Sequence, residues 1–134
     1  TELTELDLSD CELEFYGYTP VMVSAQCIVK TSGKCRKVPE THWITDRRGS
    51  KFPVRNYCTH CYNVVYNDRP LFLASEKDAV IALRPRMLRI SFHIEDRKQV
   101  RGVLRSAADA FILGRDEKSP DFKYTQGHFR NGVR

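Results

Sequence analysis

Met87-Leu88-Arg89-Ile90-Ser91-Phe92 leads within a few residues into a second stretch, residues 95–113, whose apolar positions follow a different period. In the first stretch Leu88, Ile90 and Phe92 fall on one side, and Met87, Arg89 and Ser91 on the other. That alternation is the signature of a half-buried strand. In the second, Val100, Val103, Leu104, Ala107, Ala108, Phe111 and Ile112 recur at helical spacing, and Gly114 follows as a natural C-cap. An alternating strand running directly into an amphipathic helix predicts an α+β fold. The long C-terminal helix should pack on a mixed sheet that contains residues 87–92.

Upstream, the pattern is dominated by short strands. Residues 12–18 hold Phe15, Tyr16 and Tyr18, aromatics of high β-propensity, and Gly17 marks a close approach or a bend. Val21-Met22-Val23 forms a second short apolar piece behind Pro20. Residues 30–38 read as loop, with Thr31-Ser32-Gly33 as turn chemistry. Trp43-Ile44-Thr45 and Lys51-Phe52-Pro53-Val54 flank Asp46-Arg47-Arg48-Gly49, the pattern of a β-hairpin. Residues 62–66, Tyr-Asn-Val-Val-Tyr, predict another strand. Ser75 stands where a helix N-cap belongs, with Asp78 three positions on, and that helix should end before Pro85. Past Gly114 the composition turns polar: residues 116–120 read as a linker, and residues 124–133 as a tail or the start of another domain.

The 134 residues suit one domain, and the ordinary apolar content excludes a disordered chain. No basic segment followed by an apolar one opens the sequence, and no apolar run approaches the ~20 residues that span a bilayer. A cytoplasmic protein without a membrane partner is the expectation. The absence of an initiator Met at Thr1 points to an excised portion of a longer parent chain.

Five cysteines are too odd a number for an evenly paired secreted framework. Cys58 and Cys61 form C-x-x-C, and Cys27 and Cys35 stand eight apart around a Gly33 turn. A tight turn aims two thiolates at one metal, and a second pair completes a four-sulfur set. Four thiolates serve tetrahedral zinc and a 4Fe-4S cluster equally well. The loose C-x7-C spacing favours the cluster. His60, inside the C-x-x-C, is an alternative ligand. A thioredoxin-like redox pair should open a helix, whereas Cys61 is followed by a strand pattern. Cys11, alone in an acidic stretch, is the leftover thiol.

A net charge of +5 favours acidic partners. Arg36, Lys37, Arg47 and Arg48 are candidate phosphate contacts, with further basic residues at Arg84, Arg86 and Arg89. Trp43 and Tyr57 are candidates for stacking on a base. No catalytic residue is evident. The four histidines sit in no H-E-x-x-H motif, Ser24 lacks a G-x-S-x-G setting, and His93-Ile94-Glu95 reads more simply as a strand end before a helix.

Three stretches together carry a resemblance: Glu12-Leu13-Glu14-Phe15-Tyr16-Gly17; Cys27 with Gly33-Lys34-Cys35; and Thr45-Asp46-Arg47-Arg48-Gly49 with Phe52-Pro53-Val54. With residues 88–92 and 125–130 they resemble the collagenase-like peptidases of unassigned catalytic type, family thirty-two of that class. The family places a Glu, a Gly five residues on, a cysteine, and then Gly-x-Cys. This sequence departs from it in having Tyr16 where a His commonly precedes the glycine, and a first cysteine that comes late. The resemblance implies that residues 1–114 are the C-terminal region of a longer (β/α) barrel member, with the four-cysteine metal site inserted. Residues 115–134 would be a linker and tail toward a further domain. It implies two activities: proteolysis of collagen-like or other proteins, and modification of RNA by hydroxylation of a tRNA or rRNA pyrimidine, with an iron–sulfur cluster on four cysteines. A metal-stapled docking domain, structural only, is the third reading.

Overall fold

Strand β1 (Glu12–Gly17) lies between β6 (Leu71–Phe72), antiparallel to it, and β7 (Met87–Ile90), parallel to it, in one mixed sheet. The computed structural model describes residues 2–115 and 120–130. Residues 116–119 of the expected linker and 131–133 of the expected tail lie outside them.

In β1, Phe15 is buried against the helix α3 (Arg97–Phe111) and Tyr16 against Phe72, Phe92 and Phe122. Phe15 meets Phe111 edge-on with ring centroids 5.1 Å apart, and Phe72 at 5.4 Å. Such edge-to-face pairs add to the stabilisation from buried area. Leu88, Ile90 and Phe92 pack on the same core, as their alternation predicts. Gly17 is a close approach: a Cβ there would lie 2.7 Å from Glu14 Oε1 and 3.2 Å from Ser91 Cβ.

The fold is α+β. Helix α3 starts at a reciprocal capping box, in which Gln99 N donates to Asp96 Oδ1 and Asp96 N to Gln99 Oε1. It ends at Phe111 with Ile112 as its C-cap, and Gly114 follows with a φ of +60°, a conformation that costs glycine least. Its buried arc centres on Val103, Ala107, Ala110 and Phe111, so Leu104 and Ile112, at the edge of the apolar stripe, are left exposed.

Ser75 does not cap a helix. Its hydroxyl accepts from Gln126 Nε2 at 2.9 Å, and buried Glu76 binds Gln126 and the Arg130 guanidinium. A turn over Ala74–Glu76 precedes α2 (Lys77–Ala82), which is capped at Leu83 and so ends before Pro85. Phe122, Tyr124 and Phe129 of the tail pack against the core.

These elements form one compact unit, Thr1–Gly17 with Pro70–Arg134; Tyr18–Arg69 form the other. The second unit is a four-stranded antiparallel sheet of β2 (Pro20–Ser24), β5 (Tyr62–Tyr66), β4 (Lys51–Tyr57) and β3 (Thr41–Thr45), in that order. The expected hairpin is β3–β4, closed by Asp46 Oδ1, which accepts from Arg48 N and Ser50 N, each at 2.8 Å. One helical turn, α1 (Ile28–Thr31), interrupts the segment that reads as loop. Thr31 holds it by donating from both N and Oγ1 to the Cys27 carbonyl. No helix among the described residues is long and apolar enough to cross a membrane.

Candidate metal centre

The C-x-x-C is the loop of a second hairpin. Tyr57 ends β4, Tyr62 begins β5, and the two are paired across the ladder, with rings stacked 4.8 Å apart. Cys61 closes the loop in the left-handed region, with φ at +55°, and its Sγ lies 3.8 Å from the Cys58 carbonyl. A strand, not a helix, follows Cys61, so the arrangement is not that of a thioredoxin-like pair.

Cys27 and Cys35 flank α1. Cys27 is the buried residue at its N-terminal edge, and Cys35 follows the Gly33 turn, exposed. Cys27, Cys61, His60, Lys30 and Thr31 line one shallow cleft. All four thiols are free of disulfides and belong to the second unit, whereas Cys11 belongs to the first and is exposed.

The Cys58 thiol senses the other three. Its pKa is raised, first by desolvation, then by negative charge on Cys35, Cys27 and Cys61, and last by Glu40. Like charges gathered at one point repel unless a cation lies among them. The donor set therefore fits a soft tetrahedral centre in ligand type and number. The sulfurs are not drawn to ligand spacing: no group of three or more His, Cys, Asp or Glu among the described residues is placed to hold an ion as it stands.

Two buried asparagines flank the C-x-x-C loop, one on each strand of its hairpin. Asn56 donates through Nδ2 to Cys58 Sγ at 3.3 Å and to the Val38 carbonyl at 3.2 Å. Its Oδ1 accepts from Glu40 N at 2.6 Å. Asn63, its partner across β4–β5, donates from Nδ2 to the Gln26 carbonyl at 2.7 Å. The only signal was position, each lying two residues outside a cysteine of the C-x-x-C.

The basic candidates separate. Arg36 and Lys37 directly follow Cys35, and Arg36 pairs with Glu40 at 3.4 Å. Arg47 and Arg48 lie at the tip of the β3–β4 hairpin, the end of β4 opposite Cys58, roughly 20 Å away at ~3.4 Å per strand residue. Trp43 is more than half exposed. Tyr57 is not free to take a base on both faces, since one is covered by Tyr62, and its hydroxyl meets that of Tyr66 at 2.9 Å.

The residues weighed for catalysis have structural partners. Glu95 Oε2 accepts from His93 N and Ile94 N, at 2.6 and 2.9 Å, which shapes the turn into α3. Ser24 Oγ bonds within its own turn, to Gln26. Compared with known proteins, the chain matches no family model, no curated protein and no solved structure.

Proposed function

We infer that Cys27, Cys35, Cys58 and Cys61 hold one metal centre, a 4Fe-4S cluster or a zinc ion, and that the protein serves RNA base modification, with a tRNA or rRNA pyrimidine as the hydroxylation target. The C-x-x-C at a hairpin loop, with two further free thiols flanking α1 in the same unit, carries the metal reading. The resemblance to the collagenase-like peptidases supports the substrate class. A cluster would supply electron transfer, and zinc a staple or Lewis acid. The chain's own residues bind and orient. The thiolates hold the centre, Arg36 and Lys37 place cationic charge beside Cys35, and exposed Trp43 offers a stacking face on the same sheet.

Proteolysis has little support, because neither Ser24 nor the His93–Glu95 turn presents a nucleophile with a base. The exposed apolar strand Val21-Met22-Val23 favours a second reading, a metal-stapled domain that docks on the rest of a parent chain.

Metal analysis of anaerobically purified protein tests the centre. Brown protein with iron and sulfide marks the cluster, and colourless protein with one zinc marks the staple. Filter binding to tRNA and rRNA tests the substrate class. Binding should weaken with salt by a log–log slope of about −0.7 for each phosphate contact to single-stranded RNA. Reversing Arg36 and Lys37 to Glu should flatten that slope, as should reversing Arg47 and Arg48. Gelatin cleavage that survives re-purification and vanishes with one point change would overturn the ranking in favour of proteolysis.

A further inference from the structure

Asn56 and Asn63 are each 1 % exposed and face one another across β4–β5, just outside the C-x-x-C loop. Buried carboxamides are uncommon in so small a sheet, and a polar pair there needs partners. Each finds its partner on a different cysteine segment. Asn63 binds the Gln26 carbonyl, next to Cys27. Asn56 binds the Val38 carbonyl and the Glu40 amide, on the stretch that follows Cys35. The same Asn56 amide also donates to Cys58 Sγ.

We propose that Asn56 and Asn63 are the positioning residues of the four-thiol site, each fastening one outlying cysteine segment to the hairpin that carries Cys58 and Cys61, with Asn56 in addition donating a hydrogen bond to the Cys58 sulfur. The proposal rests on the four-thiolate reading above, but the fastening itself needs no metal.

Residue chemistry supports the assignment. A carboxamide both donates and accepts without charge: Asn56 uses both halves, holding a carbonyl and an amide at once beside a thiol, whereas Asn63 uses only its donor and its Oδ1 is buried without a hydrogen-bond partner. An aspartate at either place keeps the shape, loses the donors and adds a negative charge among sulfurs. An N–H···S bond also withdraws charge from a thiolate, which lowers the energy of its lone pair.

Cobalt(II) is the probe, competed with zinc and a chelator, on Asn56→Asp, Asn63→Asp and the control Val54→Ala. Val54 is a buried β4 residue that touches neither fastening in the hydrogen-bond network. Both Asp variants should retain cobalt about 10–100-fold more weakly, the range typical for partners that orient metal ligands. Asn56→Asp should shift the sulfur-to-cobalt charge-transfer band to the red. Asn63→Asp should leave its position and reduce its intensity as Cys27 drops out. In metal-free protein, Asn63→Asp should speed iodoacetamide labelling of Cys27 at least tenfold relative to Cys11.

Wild-type cobalt retention in both Asp variants overturns the proposal and leaves the four-thiolate reading standing. So does loss of cobalt from Val54→Ala equal to theirs, since that is general loosening. If wild-type protein takes no cobalt while Asn63→Asp still frees Cys27, the fastening holds and the four-thiolate reading fails.

Discussion

The two units are stabilised by different means. The first buries Phe15, Tyr16, Phe72, Leu73, Val80 and Val103 in one cluster ringed by further aromatics. The second buries Val54, Val64, Val65 and Tyr66, spends two buried positions on Asn56 and Asn63, and leaves Val21, Met22, Val23, Trp43 and Ile44 exposed. At ~25 cal/mol per Å² of apolar surface removed from water, the first unit has the larger driving force. The second is shorter than the ~70–80 residues at which one core becomes sufficient, the size range in which natural domains add a metal or disulfides. A four-thiol site in the unit with the weaker core is where a cross-link has most to contribute.

Cys58→Ser should break that contrast most. Structural metal binding is folding free energy, about 10–16 kcal/mol in zinc-finger peptides. The variant should lose its metal, and amides of β2–β5 should exchange freely while those of β1 and α3 stay protected. Cys11→Ser should leave metal content unchanged. Equal protection of both units in residue-resolved exchange, with metal retained, would break the reading of the second unit.

Phe15→Ala attacks the other side. A buried Phe truncated to Ala costs about 3–5 kcal/mol, so calorimetry should show the first unit melting earlier while metal content holds. Asp96→Ala removes one member of the capping box and should cost about 1 kcal/mol, again confined to the first unit.

The smallest effect concerns charge. Burial and the neighbouring thiolates raise the Cys58 pKa above the ordinary 9.0. Cys35→Ser removes one of those charges, so the midpoint of Cys58 alkylation against pH should fall in metal-free protein, without reaching the ordinary value because the burial remains. The linked sign is definite. A thiol held protonated by the fold binds more protons folded than unfolded, so metal-free protein should lose stability as pH rises through and beyond 9.0. Chemical denaturation at a series of pH values reads this directly.

Much of the first unit was legible because its pattern is periodic. Residues 87–92 alternate and Val103 to Phe111 recur at helical spacing, and both signals arise from burial on one face. Ser75 was misleading because a residue fifty-one positions away claims its hydroxyl, which no local pattern records. In the second unit the β3–β4 hairpin could be read from its turn residues and the cysteines from spacing. The asparagine fastenings could not: Asn56 reaches Val38 and Asn63 reaches Gln26, contacts eighteen and thirty-seven residues apart. The separation of Arg47 and Arg48 from the cysteines was equally hidden, since nearness in sequence does not tell which end of a strand a turn occupies.

Gly17 and Leu71, where the chain leaves the first unit and comes back to it, are paired neighbours on adjacent antiparallel strands. The intervening fifty-odd residues are thus a graft on a host hairpin, whose two cut ends already lie a strand's width apart, ~4.8 Å. A short type I′ turn could join those ends directly, and β1 and β6 would keep their register. By topology the thiol-bearing span is a detachable insert: to the β1–β6 pair it is no more than a long loop.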